Sequence, residues 1–312
     1  MGYFEERENE AAKKLVKSYK PKDFEEFWDK VLKENAKHEL KVTKKLADFP
    51  YQNMKVYDVT YTTMDKTIVN AYFFTPTNVT EPLPCVVQYH GGNGKRTLQW
   101  EYPAVGMCCL SIDVRGQSGI SPDRADYTSD CGYSDAIISG ILDKNEYYLK
   151  NVYVDAVRAI EVVKTFPEVD SNRIGVVGMS QGGGITLAVS ALSKDVKAAV
   201  VSAPSYTCIR NRIMDNTGVL GHLRTYMLHH PEHAETVWEN VAYFDGLHFA
   251  ENIKSNVLVL NTLADPICLP EYNYSVYQNL KCNKEIYSAP FAPHIVTPEM
   301  HLEKLKYFIK ML

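Results

Sequence analysis

The 312-residue chain contains no run approaching the ~18 consecutive apolar residues of a spanning helix. Its first residues, Met1-Gly-Tyr-Phe-Glu-Glu-Arg7, lack the apolar core of a secretion signal, and Glu6 spoils a myristoylation site. No stretch is rich enough in Gly, Ser or Pro to serve as a linker, so a single domain over 1–312 is expected. Positive charge is not in surplus either. A net charge of −4 gives no electrostatic footing for nucleic acid or an anionic membrane as partner. The seven cysteines are odd in number and show no CxxC spacing, which argues against a disulfide framework and against a zinc site. Cys85, Cys108 and Cys109 lie in strand-like apolar runs and read as small buried hydrophobes. A cytoplasmic setting is the expectation that follows.

What is present is concentrated in Arg173-Ile-Gly-Val-Val-Gly-Met-Ser-Gln-Gly-Gly-Gly-Ile-Thr-Leu-Ala188. An apolar strand runs into Gly178-Met-Ser180-Gln-Gly182 and then into a helix-forming run, which is the G-x-S-x-G pattern in a strand–turn–helix context. A serine on so sharp a turn leaves no room for Cβ atoms two residues either side. The backbone N–H of Gln181 opens the following helix, where unpaired N–H groups and the positive end of the dipole face a developing oxyanion. Gly183 and Gly184 allow that helix to pack close to the strands.

Taken in order, residues 5 to 20 read as a helix, and Asp23 reads as the cap of a second one with a Phe24, Phe27, Trp28, Val31, Leu32 stripe. Together, residues 1–40 form an N-terminal helical arm. Val56–Thr63 and Thr67–Phe74 read as a hairpin turning at Met64-Asp65-Lys66. Pro84–Tyr89 is a buried strand ending at His90-Gly-Gly-Asn-Gly94, where glycine lets the N–H of Gly92 approach a substrate oxygen as the second oxyanion donor. Gly106–Asp113 is another strand, and Arg115 and Gln117 just beyond it hold neighbouring loops or touch substrate. Ser118–Tyr148 is irregular and suits a loop lying over a site. A helix through Val152, Ala156, Ile160 and Val163 then leads to the Ser180 strand, and Lys197–Pro204 supplies the next. This β-α-β alternation gives an α/β fold with a mostly parallel sheet covered by helices on both faces. Residues 205–246 break the rhythm and read as a helical cap or interface insertion. Within it, His229-His-Pro-Glu-His233 has no matching ligand set elsewhere and reads as a solvated helix end, so no metal is assigned.

Asn256–Asn261 is a further strand, with Asp265 just past its carboxyl end, where sites of open α/β sheets form. After a helix from Pro270 and a strand at Glu285–Ser288, His294 follows in a loop. Ser180, Asp265, His294 is the chain order of α/β-hydrolases. His294 takes the proton of Ser180 and returns it to the leaving alcohol, and Asp265 holds the imidazole tautomer. His301 and Asp245 compete for these roles, but His301 lies in the terminal helix and Asp245 follows no core strand.

With those residues placed, the chain resembles the cephalosporin C deacetylase and acetyl xylan esterase family, carbohydrate esterase family 7. The likeness runs through Asp23-Phe-Glu-Glu-Phe-Trp28, Arg115-Gly-Gln117, Gly140-Ile-Leu-Asp143, Val152–Arg158, Phe166–Asp170, the Gly-x-Ser-Gln-Gly elbow, Tyr243-Phe-Asp245 and the Asp265 region. The resemblance implies an α/β-hydrolase fold and removal of acetyl groups from small acetylated sugars, xylo-oligosaccharides or cephalosporin-type esters. It also implies no cofactor and a homo-oligomer, a hexamer built from dimers. Two positions depart from the family pattern: Gly92 replaces a tyrosine, and Ile295 replaces the glutamate after the histidine. Longer or aromatic acyl esters, peptides, or ligand binding without catalysis therefore stand as alternatives.

Overall fold

A computed structural model describes residues 2–16, 18–128 and 135–312. Nine strands among the described residues form one sheet: β1 (Thr43–Leu46), β2 (Met54–Thr62), β3 (Ile68–Pro76), β4 (Leu83–Tyr89), β5 (Cys108–Ile112), β6 (Val169–Met179), β7 (Val196–Ser202), β8 (Asn256–Thr262) and β9 (Lys284–Ala289). Their order is β1-β2-β3-β5-β4-β6-β7-β8-β9. β1, β2, β3 and β5 pair antiparallel, and from β5 through β4 to β9 every pairing is parallel.

The continuous apolar runs of β4, β6, β7 and β8 follow from burial on both faces, since neighbouring residues of a strand point to opposite sides. Val87, Val176, Val201 and Val259 pack on one face with the helices Tyr148–Val163 and Gln181–Leu192. Val86, Val177, Val200 and Leu258 pack on the other with Tyr307 and Phe308 of the terminal helix Pro298–Met311. Two-sided cover is thus built residue by residue, as the sequence pattern requires.

The hairpin of β2 and β3 turns as read, with Asp65 accepting from the Thr63 hydroxyl at 2.5 Å and the Thr67 N–H at 3.1 Å. Strand β1 lies in the stretch from Lys41 to Pro76 that reads as β-rich, but the sequence does not set it apart as a strand of its own. The first helix is shorter than expected, ending at Lys13, and the N–H of Val16 donates to the Ser275 hydroxyl at 3.0 Å rather than to a helical carbonyl. Asp23 precedes the helix Phe24–Asn35, yet its side chain does not cap it. It instead accepts from the Tyr243 hydroxyl at 2.5 Å and Lys144 Nζ at 3.0 Å, tying the arm to the core. Phe24, Phe27 and Trp28 are buried as the stripe predicts, with the Trp28 indole donating to the carbonyl of Tyr243 at 2.9 Å.

Residues 205–246 carry the helices Ile209–Asp215, Leu220–His229 and Ala234–Val241, a helical insertion between β7 and β8. Part of the irregular segment expected over the site, residues 129–134, lies outside the described residues. No described helix is long and apolar enough to cross a membrane.

Candidate active site

Ser180 stands at the junction of β6 and the helix Gln181–Leu192 with φ 57° and ψ −120°, a conformation that costs a non-glycine residue on the order of 1–3 kcal/mol. The glycines of the elbow are explained by contact. A Cβ on Gly178 would lie 2.3 Å from the backbone of Gly182, and a Cβ on Gly182 would lie 2.1 Å from the carbonyl oxygen of Tyr89. The strained residue is locked from both sides: its N–H donates to Ser202 O at 3.0 Å, and its carbonyl accepts from Ser205 N at 2.9 Å.

Asp265 lies three residues past the end of β8, and His294 lies in the loop after β9. Asp265 Oδ2 and His294 Nδ1 are 2.7 Å apart. The same oxygen accepts from the Thr262 hydroxyl at 2.8 Å, while Oδ1 accepts from the N–H groups of Ile267 and Cys268 at 2.8 and 2.9 Å. Burial alone would raise this carboxyl's pKa, but the bonds from His294 and the two N–H groups outweigh it and hold it below the ordinary value. An ionised Asp265 makes Nδ1 of His294 the donor and leaves Nε2 free of that task. Ser180 and His294 line one cavity of about 360 Å³, together with Gly92 and Gln181. Burial pushes the neighbouring Cys268 thiol up, and the positive charge of Arg212 partly opposes that shift.

The opposite wall follows from β4. The N–H of Val114 donates to His90 Nε2 at 2.9 Å, so Nδ1 carries the proton and donates to the Gly91 carbonyl at 2.7 Å. Burial holds His90 below its usual pKa, consistent with a neutral ring bracing the turn that presents Gly92. A Cβ at Gly92 would sit in ordinary contact with Val219 Cγ1, 3.9 Å away, and with the Gln181 amide oxygen, 4.0 Å away.

Gln117 braces Gln181. Their side-chain amides bond reciprocally at 2.8 and 3.0 Å, and the Tyr206 hydroxyl donates to the same Gln181 oxygen at 2.8 Å. Arg115 is buried in an ion cluster, donating to Asp155 at 2.6 and 2.9 Å, to Asp65 at 2.6 Å and to Asp123 at 3.1 Å. Sequence reasoning gave Tyr206, Arg212 and Cys268 no part in the site. Arg212 lines the cavity and donates to the carbonyls of Thr207, Pro204 and Ile267 at 2.7, 2.9 and 3.1 Å. Nothing in the local pattern around these three residues sets them apart, because their neighbours come from other strand ends.

The competing residues lie elsewhere. Asp245 is a helix cap, accepting from the N–H groups of Leu247, Cys208 and Ile209 at 3.0, 2.9 and 2.9 Å. His301 sits on the terminal helix, 4.0 Å from Glu101. In the cap, the ligand atoms of His230, Glu232 and His233 come within 4.8 Å of one another, nearer a metal-binding grouping than the sequence suggested. This group shares no residue with the Ser180 cavity, and His233 Nδ1 is engaged by the Tyr226 hydroxyl at 2.7 Å.

Residues 9–312 match the model of the acetyl xylan esterase family (AXE1). The structure superposes on an acetyl xylan esterase from Paenibacillus sp. R4 with a TM-score of 0.93 and 32% identity, covering 97% of this chain and 99% of that one. Acetyl xylan esterase 1 from Thermoanaerobacterium sp. JW/SL YS485 gives a TM-score of 0.90 at 26% identity, over 97% and 98% of the two chains. Acetyl esterase Axe7A of Xylanibacter ruminicola is 26% identical over 96% of this chain and 69% of its own length. Matched over nearly all its residues, the chain belongs to the acetyl xylan esterase family and is a serine carboxylic ester hydrolase of the α/β-hydrolase fold.

Proposed function

We propose that this chain removes acetyl groups from small acetylated carbohydrates such as xylo-oligosaccharides, with Ser180, His294 and Asp265 as its catalytic residues. The observation that carries the reading is the 2.7 Å contact of Asp265 with His294 at a cavity that also holds the strained Ser180. Ser180 Oγ attacks the ester carbonyl while His294 Nε2 takes its proton, and Asp265 stabilises the imidazolium. The carbonyl oxygen, now anionic, accepts from the backbone N–H groups of Gln181 and Gly92. His294 gives the proton to the departing sugar oxygen, leaving acetyl on Ser180. Water, deprotonated by the same histidine, then releases acetate. No cofactor enters any step.

A cavity of about 360 Å³ exceeds what an acetyl group alone would fill, so esters of longer or aromatic acids are the second reading. Turnover of acetyl, butyryl and feruloyl esters by the purified protein separates the two, and hydrolysis of a simple aryl acetate tests them jointly. Ser180→Ala should leave only the residual rate supplied by binding and the oxyanion donors. Full activity in that variant, or no Ser180 adduct with a fluorophosphonate, would sink the proposal. The same proposal includes one folding unit, self-association as the family resemblance implies, and a reducing compartment suited to the free thiols of the six described cysteines. Light scattering and localisation of a tagged chain check the last two.

A further inference from the structure

The turn between the cap helices Leu220–His229 and Ala234–Val241 gathers three side chains that no step of ester hydrolysis uses. His230 closes the first helix, Pro231 opens a single 3₁₀ turn, Pro231–His233, and Ala234 begins the next helix. Proline at the start of that turn fixes its φ and gives up an N–H that would have no helical partner there. The N–H of His233 donates to the carbonyl of His230 at 3.0 Å and closes the turn. At three residues per turn, side chains three apart eclipse one another. His230 and His233 are accordingly side by side, with ring centroids 5.5 Å apart and planes 13° from parallel. Glu232 brings a carboxylate oxygen to 3.6 Å from His230 Nδ1.

One ring nitrogen from each histidine and one carboxylate oxygen lie within 4.8 Å of one another. Around a tetrahedral Zn²⁺ with ligand bonds of about 2.0–2.2 Å, neighbouring donors stand about 3.4 Å apart. Rotation of surface side chains supplies the difference, since His230 is 32% and Glu232 63% exposed. The third ligand is held from behind. Tyr226, itself buried, has its hydroxyl 2.7 Å from His233 Nδ1. With the phenol oxygen accepting the Nδ1 proton, Nε2 carries the lone pair that a metal takes, and such a bond is what fixes tautomer and ring in ligating histidines. Two imidazoles and a carboxylate suit Zn²⁺ and its first-row neighbours; Mg²⁺ and Ca²⁺ ask for oxygen ligands.

We propose that His230, Glu232 and His233 form a divalent transition-metal site, taking Zn²⁺ with water in the remaining position, that clamps the end of one cap helix to the start of the next. The helix fastened at His230 supplies Leu220 and His222 to the Ser180 cavity at its other end, so occupancy steadies the cap wall of that cavity. The ion takes no part in the acyl transfer.

Calorimetric titration of ZnCl₂ into the chelator-stripped full chain tests the site. One Zn²⁺ per chain should bind with a Kd on the order of 10 µM, weaker than a closed four-ligand structural site because one position is left to water. Glu232→Gln and His230→Ala should each weaken binding about tenfold or more. The wild-type Tm should rise by about 4 °C at a hundredfold excess of Zn²⁺ over Kd, and that of Glu232→Gln by less. Mg²⁺ should give neither heat nor shift. Should His230→Ala fold poorly, Glu232→Gln, whose side chain lies largely in solvent, decides alone. Absence of saturable Zn²⁺ binding overturns the proposal. Equal Zn²⁺ affinity in wild type and Glu232→Gln also overturns it, because the ion then sits on other groups, and so does Mg²⁺ binding as tightly as Zn²⁺. None of these readouts depends on ester turnover, so they stand or fall apart from the esterase reading.

Discussion

The side-chain amides of Gln117 and Gln181 bond to each other twice, at 2.8 and 3.0 Å, so the residue after Ser180 is held by a loop from the far side of β5. The Gln117 nitrogen also donates to the Tyr148 hydroxyl at 3.1 Å, and that hydroxyl donates to the Arg115 carbonyl at 2.8 Å. The chain of bonds holds the Gln181 side chain, whose backbone N–H is the proposed oxyanion donor. Gln117→Leu keeps the volume and removes the bonds, and kcat is expected to fall about tenfold, or ~1.4 kcal/mol of transition-state stabilisation, with KM for aryl acetate little changed. Steady-state kinetics decides, and a loss confined to KM would mean that Gln117 acts on substrate binding instead.

Asp265 is the better-determined of the two groups around the imidazole, because every bond it accepts comes from a fixed donor. Asp265→Asn must turn an amide NH₂ either toward the N–H groups of Ile267 and Cys268 or toward His294 Nδ1. The second arrangement forces the wrong tautomer. We expect kcat to drop on the order of 10⁴-fold with the fold intact. A variant within tenfold of wild type would show that another acid serves His294.

Arg115 meets three carboxylates inside the protein, Asp65, Asp123 and Asp155. Arg115→Met strands them, and a loss of about 3–5 kcal/mol is expected from denaturant unfolding at neutral pH. The acid response has a definite sign. Burial would raise the Asp65 carboxyl, but its bonds to Arg115 overcome this and hold it well below the usual carboxylate range. A carboxyl lowered on folding adds stability that is complete above its unfolded value near 4 and is lost as pH falls from there toward the folded value. Asp65→Asn should therefore be less stable than wild type at pH 7, with the gap narrowing below about pH 4. Parallel curves down to pH 2 would assign the acid sensitivity to other groups.

Much of the site was readable in the chain because a buried parallel strand announces its own end. Apolar runs at β4, β6 and β8 stop within a few residues of His90-Gly91, Ser180 and Asp265, while His294 follows the half-buried edge strand β9 by five residues. The elbow glycines were readable too, since crowding at a strained turn admits no alternative. What escaped depends on partners distant in sequence. Asp23 has the identity of a helix cap, but Tyr243 and Lys144 compete for its carboxylate and win. Arg115 was seen beyond a strand end, while its carboxylates lie 50, 8 and 40 residues away. Strand β1, Thr43–Leu46, is mostly exposed at the sheet edge and so carries no apolar signature.

Arg212 links the loop that carries Asp265 to the loop that holds the carbonyl of Ser180. From the helix Ile209–Asp215 it donates to Pro204 and Thr207 in the loop after β7, and to Ile267 in the loop after β8. Ile267 in turn donates its N–H to Asp265, and Ser205, beside Pro204, donates to the carbonyl of Ser180. Arg212→Met leaves the buried Thr207 carbonyl unpaired and takes one donor each from the carbonyls of Pro204 and Ile267, and a loss of about 1–3 kcal/mol is expected in thermal or denaturant melts. Arg212→Lys keeps the charge but cannot reproduce a planar fork spanning three acceptors, so it should recover only part of that loss. Because the Asp265 loop is loosened, kcat should fall about tenfold in both variants while KM for aryl acetate changes less. If the lysine variant restores kcat fully, charge alone suffices and the three-carbonyl clamp does not position the acid; if melting falls but kcat holds, the loops keep their register without it.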